Sequence, residues 1–380
     1  MADRTRVLMI LSKGFTHDPR VASEAQGLQR AGYDVTVLCW DREGTLPLEG
    51  TQDGVRVVRI RSSVAMRLRG YDIFRLPAMW RRAAQCATEL HRASPFAVVH
   101  CHDLDTLPAG AMVKRQVGVR LVYDAHEAFP YLLEMTPARR FARRYELLER
   151  RLAPEVDLVI TVSPPLRDYL AAFVRAPIVI VANAKPLPSE AWVPPRTGRM
   201  TVLYLGGLDP TRFVVPLIEL AIEDPFFDVE IGGMGPLSER IRGLAATSKG
   251  NVGYLGTLPM EAVLPKTRAC DIVFALFDPA ERLNRIGMPT KFFEALAAGR
   301  PILVSRGTYI AQEVEANEVG LALPYTKVGL REALHRLAGD PALRERLGRN
   351  TLRLARERYN WPMEEAKLLA AYRAMGVDPR

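Results

Sequence analysis

The chain has 380 residues, of which 48% are hydrophobic and 25% are charged, and these proportions exclude collagen-like, fibrous and disordered proteins. At roughly 150 residues per domain, this length predicts two domains that each bury a core. No apolar run approaches the roughly 18 residues of a membrane-spanning helix, and Ser12 and Lys13 end the first apolar run too early for a secretory signal peptide. Four cysteines without a C-x-x-C pair indicate neither a zinc knuckle nor a disulfide framework. We therefore expect a reduced, cytoplasmic protein.

Short apolar segments alternate with amphipathic segments through the first half, which is typical of parallel sheets covered by helices. The predicted strands cover residues 6–11, 34–40, 55–60, 96–102, 119–124, 158–162 and 178–181. The predicted helices cover residues 20–31, 76–92, 106–116, 138–152 and 165–173. Together they predict a Rossmann-like domain over residues 1–184.

Four prolines interrupt this alternation in residues 185–199, which we interpret as a linker. Strands are then predicted at residues 201–205, 228–231, 251–254, 271–276 and 301–305, with helices at residues 212–222, 236–246, 260–269 and 289–298. Residues 200–360 are expected to form a second Rossmann-like domain, and residues 361–380 a C-terminal helix that can pack back on the first domain. The predicted fold class is α/β, with two doubly wound domains facing each other across a cleft.

Positive charge is concentrated in two stretches of the first half, although the formal net charge of the whole chain is only +9. Residues 59–82 contain seven arginines against Asp72, and residues 138–151 contain six against Glu146 and Glu149. Apolar and aromatic residues stand between these arginines, a pattern that fits an anionic membrane surface or another phosphate-rich partner. A solvated helix face with snorkelling arginines explains the pattern equally well. Nucleic acid is not expected, because no binding motif accompanies the charge.

Two segments of the second half combine glycines with the start of a helix. Residues 231–236 (IGGMGP) join a strand to a helix, so the backbone can approach an anionic ligand there, although tight packing also explains such a turn. Residues 288–301 (MPTKFFEALAAGRP) predict a helix opened by proline and closed by glycine. Glu294 can then accept the hydroxyls of a ribose while Lys291 reaches a diphosphate. A favourable helix-dipole contact and a solvated lysine are equally compatible with the pattern.

Histidine and aspartate side chains follow two predicted strands of the first half. His100 and His102 share one face of a strand because alternate residues point the same way, but their spacing identifies no third metal ligand, so no metal is expected. His102 and Asp103 are expected to line the carboxyl end of the sheet, where ligands bind in such folds. A neutral His126 can donate to or accept from a ligand near pH 7, or it can be an ordinary satisfied polar residue.

The order and spacing of these segments resemble the GT-B glycosyltransferases, and among them glycosyltransferase family 4. In the second half the resemblance rests on residues 203–208 (LYLGGL), 218–219 (IE), 231–236 (IGGMGP), 251–256 (NVGYLG), 269–272 (ACDI) and 293–302 (FEALAAGRPI). In the first half it rests on residues 18–25 (DPRVASEA), 100–103 (HCHD), 123–127 (YDAHE) and 157–163 (DLVITVS). The resemblance spans nearly the whole chain.

The resemblance implies that a sugar is transferred from a nucleotide diphosphate with retention of anomeric configuration, without a cofactor or a required metal. It places the donor on the second domain, at Gly206, Gly207, Arg212, Gly233, Gly235, Gly256, Thr257, Leu258, Lys291 and Glu294. It places the acceptor mainly on the first domain, where His17, Arg20 and Glu127 are acceptor-side candidates and Arg20 is a candidate anion contact. His126, His102 and Asp103 are the implied catalytic residues, with His126 near the donor sugar.

A UDP-sugar such as UDP-GlcNAc is favoured as the donor over a GDP- or dTDP-sugar. The acceptor is expected to be a glycan, a lipid-linked molecule or a small molecule, and a lipid-linked acceptor would fit peripheral association with the inner face of a membrane. The alternatives are a nucleotide-sugar epimerase or hydrolase of the same fold and a non-catalytic nucleotide-sugar binding protein. A nicotinamide dehydrogenase is disfavoured because the glycine fingerprint and its ribose acid are incomplete.

Two positions depart from the family pattern. The first of the two acids that family members place with seven residues between them would fall at Ile286, eight positions before Glu294, and residues 281–285 (ERLNR) can supply a substitute. The basic pair after the first strand of the second domain is represented by Arg212 alone, with Gly207 where arginine is common. Lys291 can compensate, because the leaving diphosphate must be stabilised by positive charge.

Overall fold

The computed structural model of the chain describes residues 4–16, 18–62, 72–188, 191–194 and 198–379. The chain divides into two compact units. The first unit consists of Met1–Ala182 and Glu364–Arg380, and the second unit consists of Asn183–Met363. Within the described ranges, no helix is both long and apolar enough to cross a membrane.

Eight strands form the sheet of the first unit. In chain order they are β1 (Arg6–Leu11), β2 (Asp34–Asp41), β3 (Glu49–Gln52), β4 (Val55–Arg61), β5 (Val98–His102), β6 (Arg120–Ala125), β7 (Leu158–Thr161) and β8 (Ile178–Ile180). Across the sheet their order is β3-β4-β2-β1-β5-β6-β7-β8, with β3 antiparallel to β4 and the other neighbours parallel. The winding reverses between β1 and β5, so the loops after these strands flank the crevice where such sheets bind ligands.

Among the residues that the structure describes, six helices connect the strands of the first unit: α1 (Pro19–Arg30), α2 (Leu76–Ala93), α3 (Leu107–Val117), α4 (Phe129–Glu134), α5 (Ala142–Leu152) and α6 (Pro164–Ala171). Helix α1 is capped by Asp18, whose carboxylate accepts a hydrogen bond from the backbone N–H of Val21. The core is apolar on both faces of the central strand, where Leu8 and Met9 are fully buried. Burial of each such side chain stabilises the fold by about 1.5–3 kcal/mol.

The second unit contains a smaller, wholly parallel sheet. Its strands are β9 (Met200–Leu205), β10 (Phe227–Gly232), β11 (Val252–Gly256), β12 (Ile272–Ala275), β13 (Ile302–Ser305) and β14 (Gly320–Leu323), in the order β11-β10-β9-β12-β13-β14. Its helices are α7 (Val214–Glu223), α8 (Ser238–Thr247), α9 (Met260–Ala269), α10 (Arg282–Ile286), α11 (Thr290–Ala298), α12 (Tyr309–Ala316), α13 (Lys327–Gly339) and α14 (Pro341–Glu357). A last helix, α15 (Trp361–Ala374), crosses the boundary, and its residues from Glu364 onward belong to the first unit.

The predicted fold class, two doubly wound α/β sheets, is confirmed. The prediction missed β3, β14, α4, α10 and α12, and it started three helices at least two residues too early, among them the helix predicted over residues 236–246, which begins at Ser238. A helix predicted over residues 138–152 begins at Ala142, after a 3-10 turn. A helix predicted over residues 212–222 begins at Val214, because Phe213 has a left-handed φ of 55° that no α-helix accommodates.

The segment predicted as a linker is attached to the second unit in its described part. Trp192 Nε1 donates a hydrogen bond to the carbonyl oxygen of Gly299 at 3.1 Å. Arg300 Nη1 donates to the carbonyl oxygen of Val193 at 2.8 Å. This stretch therefore packs on the C-terminal end of α11 and is not a free tether.

Candidate functional site

In the first unit, the candidate site lies at the carboxyl ends of β5 and β6, where Asp124 is fully buried. Arg20 donates from Nε to Asp124 Oδ2 at 3.1 Å and from Nη2 to Asp124 Oδ1 at 2.7 Å. The rings of His102 and His126 approach Oδ2 of the same carboxylate at 3.1 and 2.8 Å. Burial alone raises the pKa of Asp124, but the charges of Arg20 and His126 hold it well below its usual range. Asp124 is thus an ionised centre that gathers residues from three distant segments.

His126 is held between two carboxylates. Its Nε2 is 2.8 Å from Asp124 Oδ2, and its Nδ1 is 3.2 Å from Asp103 Oδ2. Burial lowers the pKa of an imidazole, yet Asp103 and Asp124 raise the pKa of His126 well above its usual value. The ring is therefore an imidazolium that donates from both nitrogens at neutral pH, which corrects the expectation of a neutral imidazole.

Asp103 reaches His126 through an unusual backbone conformation. Its φ is +63°, in the left-handed region that non-glycine residues seldom adopt. Its backbone N–H donates to the carbonyl oxygen of Asp124 at 2.8 Å, and its Oδ1 accepts from the backbone N–H of His126 at 2.9 Å. Backbone strain of this kind persists only where the surrounding structure enforces it, and it is common in functional sites.

Two neutral imidazoles and a carboxyl group with a raised pKa complete this cluster. Burial lowers the pKa of His100, and burial together with the neighbouring His100 lowers the pKa of His102 to about 4. Burial raises the pKa of Glu24 to about 8, despite the opposing charge of Arg20. His100 Nδ1 also lies 2.7 Å from the hydroxyl of Tyr372 in α15. The interior of the cluster therefore holds few net charges at neutral pH.

The same cluster contains the kinds of side chain that bind metals. The ligand atoms of Glu24, His100, His102 and Asp124 lie within 4.8 Å of one another, a set that sequence spacing did not reveal. Arg20 occupies the same place, because its Nη2 is 3.0 Å from Glu24 Oε1 and 2.7 Å from Asp124 Oδ1. The positive charge that these carboxylates need is therefore supplied by the guanidinium, and a cation would be repelled by it.

Of the three acceptor-side candidates, the structure describes Arg20 and Glu127. Arg20 is only 9% exposed and also donates to the carbonyl oxygen of Val181 at 2.8 Å, so it is engaged inside the fold and is not presented as the expected anion contact. Glu127 is half-buried beside His126, and burial together with the charge of Asp103 raises its pKa to about 7. His17 lies outside the described residues.

In the second unit, the candidate site lies at the reversal of winding between β9 and β12. The loops after β9 and β10 come into close contact there. A Cβ atom at Gly233 would lie 1.9 Å from the carbonyl oxygen of Gly206, and one at Gly206 would lie 2.5 Å from Lys291 Nζ. Both glycines also have positive φ, +132° and +147°, so only glycine fits these two positions.

The other glycine candidates belong to the same group of loops. The backbone N–H of Gly233 donates to the carbonyl oxygen of Gly256 at 2.7 Å, and the Tyr204 hydroxyl donates to the carbonyl oxygen of Gly207. A Cβ at Gly235 would lie 2.4 Å from the carbonyl oxygen of Leu208. The structure therefore brings the predicted glycines together, and the two residues after β11 that were also predicted, Thr257 and Leu258, continue from the same edge.

Lys291 reaches these loops from the first turn of α11. The residue is 8% exposed, and its Nζ lies 4.6 Å from the centre of the Tyr204 ring and 5.4 Å from that of Phe277. Burial lowers the pKa of Lys291 to about 8, although the charge of Glu294 acts in the opposite direction. In the part of the chain that the structure describes, no carboxylate or hydrogen-bond acceptor pairs with this ammonium group.

Glu294 lies on the same face of α11 as Lys291 and forms an ion pair with Lys185. Lys185 Nζ is 3.3 Å from Glu294 Oε1, and the two side chains are 19% and 12% exposed. Sequence reasoning missed Lys185, because a single lysine in a proline-rich stretch carries no pattern that would mark it as a site residue.

Arg212 is more constrained than its sequence position suggested. Its Nε donates to Asp209 Oδ2 at 2.8 Å, Nη1 donates to Asn284 Oδ1 at 3.4 Å, and the guanidinium stacks 4.2 Å from the centre of the Phe277 ring. Residues 281–285 are expected from the sequence to replace the acid that is missing at Ile286. Of these residues, Asn284 contacts Arg212, through its amide oxygen. This segment therefore places a neutral amide beside Arg212.

Comparisons with known proteins agree with this architecture. Residues 17–184 match the family described as a glycosyl transferase 4-like domain. Sucrose-phosphate synthase from Thermosynechococcus elongatus has 17% sequence identity and a TM-score of 0.81, covering 98% of this chain and 99% of its own. The Anabaena protein HepE in complex with UDP and glucose has 14% identity and a TM-score of 0.73, covering 97% and 100%. An Escherichia coli structure described as trehalose-6-phosphate bound with UDP-2-fluoro glucose has 14% identity and a TM-score of 0.72, covering 99% and 100%.

No curated protein sequence matches the chain. At these identities the structural likenesses establish the fold alone. Residues 17–184 are thus identified as a glycosyl transferase 4-like domain, and the whole chain has the fold of the GT-B glycosyltransferases.

Proposed function

We propose that the chain transfers a sugar from a nucleotide diphosphate to an acceptor hydroxyl, with retention of anomeric configuration and without a metal. The second unit binds the donor, and the first unit provides His126, His102, Asp103 and Glu127 for the acceptor and the chemical step. A UDP-sugar is favoured, since two of the similar structures are described with UDP or a UDP-sugar. UDP-GlcNAc is our first candidate, and the acceptor is a glycan, a small molecule or a lipid-linked molecule.

The observation that carries this proposal is the buried ammonium group of Lys291. A lysine in such a place is destabilising unless an anion compensates it. Glycine loops that leave the backbone open surround it, and a carboxylate suited to ribose hydroxyls follows it on the same helix. A nucleoside diphosphate has the charge, the hydroxyls and the extended shape to match these groups together.

The chemistry assigned to each residue follows from its charge. When the bond between the anomeric carbon and the diphosphate breaks, negative charge accumulates on the leaving group, and Lys291 and Arg212 can stabilise it. A charged His126 donates hydrogen bonds and cannot accept a proton at neutral pH. Both of its N–H groups are engaged by Asp103 and Asp124. We therefore assign His126 to stabilising developing negative charge through its own positive charge, and not to general-base catalysis.

Nucleotide binding is the first test. Thermal-shift measurements with UDP, GDP and dTDP should identify one stabilising nucleotide, because a ligand at a hundred times its Kd stabilises the folded state by about 2.7 kcal/mol. Lys291→Met should lose most of the shift, whereas Lys249→Met, an exposed lysine of the same unit, should retain it. If none of the three nucleotides shifts the melting temperature, the proposal is wrong.

Release of UDP from UDP-GlcNAc and UDP-glucose separates the alternatives. A transferase releases UDP rapidly only when an acceptor extract is added, and EDTA leaves that rate unchanged. Equal release without an acceptor would favour a hydrolase, and conversion of the sugar without release would favour an epimerase. Binding without any turnover would favour a non-catalytic nucleotide-sugar binding protein.

Association of the first unit with an anionic membrane is a separate part of the proposal. The face of α5 and its preceding turn exposes arginines and one large apolar side chain: Arg139, Arg140, Arg143, Arg144, Arg150, Arg151 and Leu147. Each arginine near an anionic surface contributes on the order of 1 kcal/mol. In the other basic stretch, Arg59 and Arg61 of β4 donate to backbone carbonyls and are engaged within the fold. Residues 63–71 of that stretch lie outside the described residues.

Co-sedimentation with phosphatidylserine vesicles tests this association. The wild-type protein should bind at low salt and dissociate as salt is raised. Replacing Arg140, Arg143 and Arg144 by glutamate should abolish binding, whereas Arg353→Glu in α14 serves as an exposed control that should not. Failure of the wild-type protein to bind anionic vesicles at low salt would overturn the membrane proposal.

A further inference from the structure

Lys185 is the one cation that forms an ion pair with Glu294 among the described residues. The Nζ–Oε1 distance is 3.3 Å, and both side chains are mostly buried, with 19% and 12% exposed. Screening by water is weak at such exposure, so the pair is stronger than an ion pair on the open surface.

The backbone of Lys185 is held in place by the strand-like segment before α15. Lys185 forms a parallel bridge with Asn360, and its carbonyl oxygen accepts a hydrogen bond from the backbone N–H of Trp361 at 2.8 Å. Asn360 is itself only 3% exposed, and its amide donates to the carbonyl oxygens at the end of α14. The ammonium group of Lys185 therefore extends from a fixed point, which limits the positions that Glu294 can take.

The pair also decides which charges remain for a ligand. Glu294 lies one turn after Lys291 on α11 and would otherwise be available to neutralise it. Because Lys185 pairs with Glu294, the charge of Lys291 stays uncompensated beside the glycine loops. The carboxylate of Glu294 and the ammonium groups of Lys185 and Lys291 together carry one net positive charge, which suits a diphosphate. Of the two lysines, Lys185 alone forms an ion pair with Glu294 among the described residues.

We propose that Lys185 is a positioning and specificity residue of the donor site: it holds Glu294 where the carboxylate accepts both hydroxyls of a ribose, so that ribonucleoside diphosphates are preferred over their 2′-deoxy forms. This inference rests on the proposed function, since it concerns the same nucleotide site.

Calorimetric titration with UDP and 2′-deoxy-UDP tests the proposal. The wild-type protein should prefer UDP by about 10-fold or more, because a charged hydrogen bond is lost with the 2′-hydroxyl. Lys185→Met should weaken UDP binding and reduce the preference to about 1–3-fold, whereas Lys185→Arg should restore most of it. Glu294→Gln should also remove the preference, and the double variant should add little to either change, because both residues act through one contact.

Each other outcome has a separate meaning. If Lys185→Met binds both nucleotides more weakly but keeps the preference, Lys185 contacts the phosphates and the positioning role is wrong. If affinity and preference are both unchanged in a variant whose unliganded melting temperature matches the wild type, Lys185 has no role in the site. If the wild-type protein binds UDP without preferring it over 2′-deoxy-UDP, the specificity role is wrong while the proposed function stands. Absence of binding to either nucleotide by the wild-type protein would overturn the proposed function and this inference together.

Discussion

The two candidate sites contain buried charges, but they balance them differently. In the first unit, Asp124 is surrounded by Arg20, His102 and His126 at hydrogen-bond distance, so the charges are compensated within the protein. In the second unit, Lys291 is buried to a similar degree among aromatic rings and glycine loops, and no side chain in the described ranges neutralises it directly. The charges of the first site are balanced without a ligand, whereas the charge of Lys291 in the second site is balanced only when an anion binds.

This difference assigns different tasks to the two units. A compensated cluster fixes the position and protonation of its members, which is what a group acting on bound substrate requires. An uncompensated buried cation, by contrast, is stabilised when an anionic ligand binds beside it. We infer that mutations in the first cluster act on stability and turnover, and that mutations in the second act on nucleotide affinity.

The largest effect is expected for Asp124→Asn. Removal of one partner from a buried ion pair leaves Arg20 uncompensated and should reduce the free energy of unfolding by about 3–5 kcal/mol. Denaturant titration measures this change. Asp228→Asn breaks a pair with Arg199 whose side chains are 37% and 49% exposed, and it should lower stability by about 1 kcal/mol or less. Equal effects for the two variants would contradict the contrast between compensated and exposed charge.

His126→Ala should reduce turnover by about 10²–10³-fold, the range typical of losing a group that stabilises charge in the transition state. Nucleotide affinity should change little, because the donor groups belong to the second unit. Steady-state kinetics and calorimetry measure the two quantities. His335→Ala, whose side chain is 52% exposed, is the matched control. If turnover of His126→Ala stays within a few-fold of wild type, His126 is structural and His102 becomes the better catalytic candidate.

Glu294→Ala should weaken binding of the nucleoside diphosphate by about 1–3 kcal/mol, because it removes charged hydrogen bonds to ribose. The free energy of unfolding without ligand should change much less than for Asp124→Asn. Calorimetry on the folded variant, with the exposed Glu315→Ala as control, measures the loss. Unchanged affinity would remove Glu294 from the donor site.

The smallest expected effect is the uptake of protons when a nucleoside diphosphate binds. Since burial lowers the pKa of Lys291 to about 8, roughly half of the unliganded molecules lack this proton at pH 8. A bound diphosphate raises the pKa again, so binding should take up about half a proton at pH 8 and progressively less toward pH 7. Binding enthalpies in buffers of different ionisation enthalpy report this uptake. Lys291→Met should abolish its pH dependence, and proton release instead of uptake would contradict the assignment.

The parts of the fold that sequence analysis predicted well have strong local patterns. The strand predicted at residues 6–11 is β1, and the helix predicted at residues 260–269 is α9. By contrast, β3 has the sequence EGTQ, without a single large apolar residue, and it pairs only because β4 offers an adjacent edge. Strand β14 is four residues long and contains a glycine, which is too short to show a period.

The residues of the two candidate sites also divide into those that local sequence patterns predicted and those that such patterns did not predict. Lys291 and Glu294 are three positions apart, so helical periodicity alone places them on one face. The glycines around Gly206 and Gly233 were recognisable because each follows a strand. Arg20 and Asp124 are 104 positions apart, and Lys185 and Glu294 are likewise joined only by the folded chain, so spacing gave no sign of either pair.

The sequence by itself determined the α/β class, the glycine loops and the shared face of α11, because these depend on residue type and on periods of a few residues. Only the tertiary structure decided that His126 is charged, that Arg20 is engaged internally and that Lys185 pairs with Glu294. The physical reason is that the charge and availability of an ionisable group depend on its burial and on its nearest charges. Both are properties of the folded neighbourhood, to which residues from distant parts of the chain contribute.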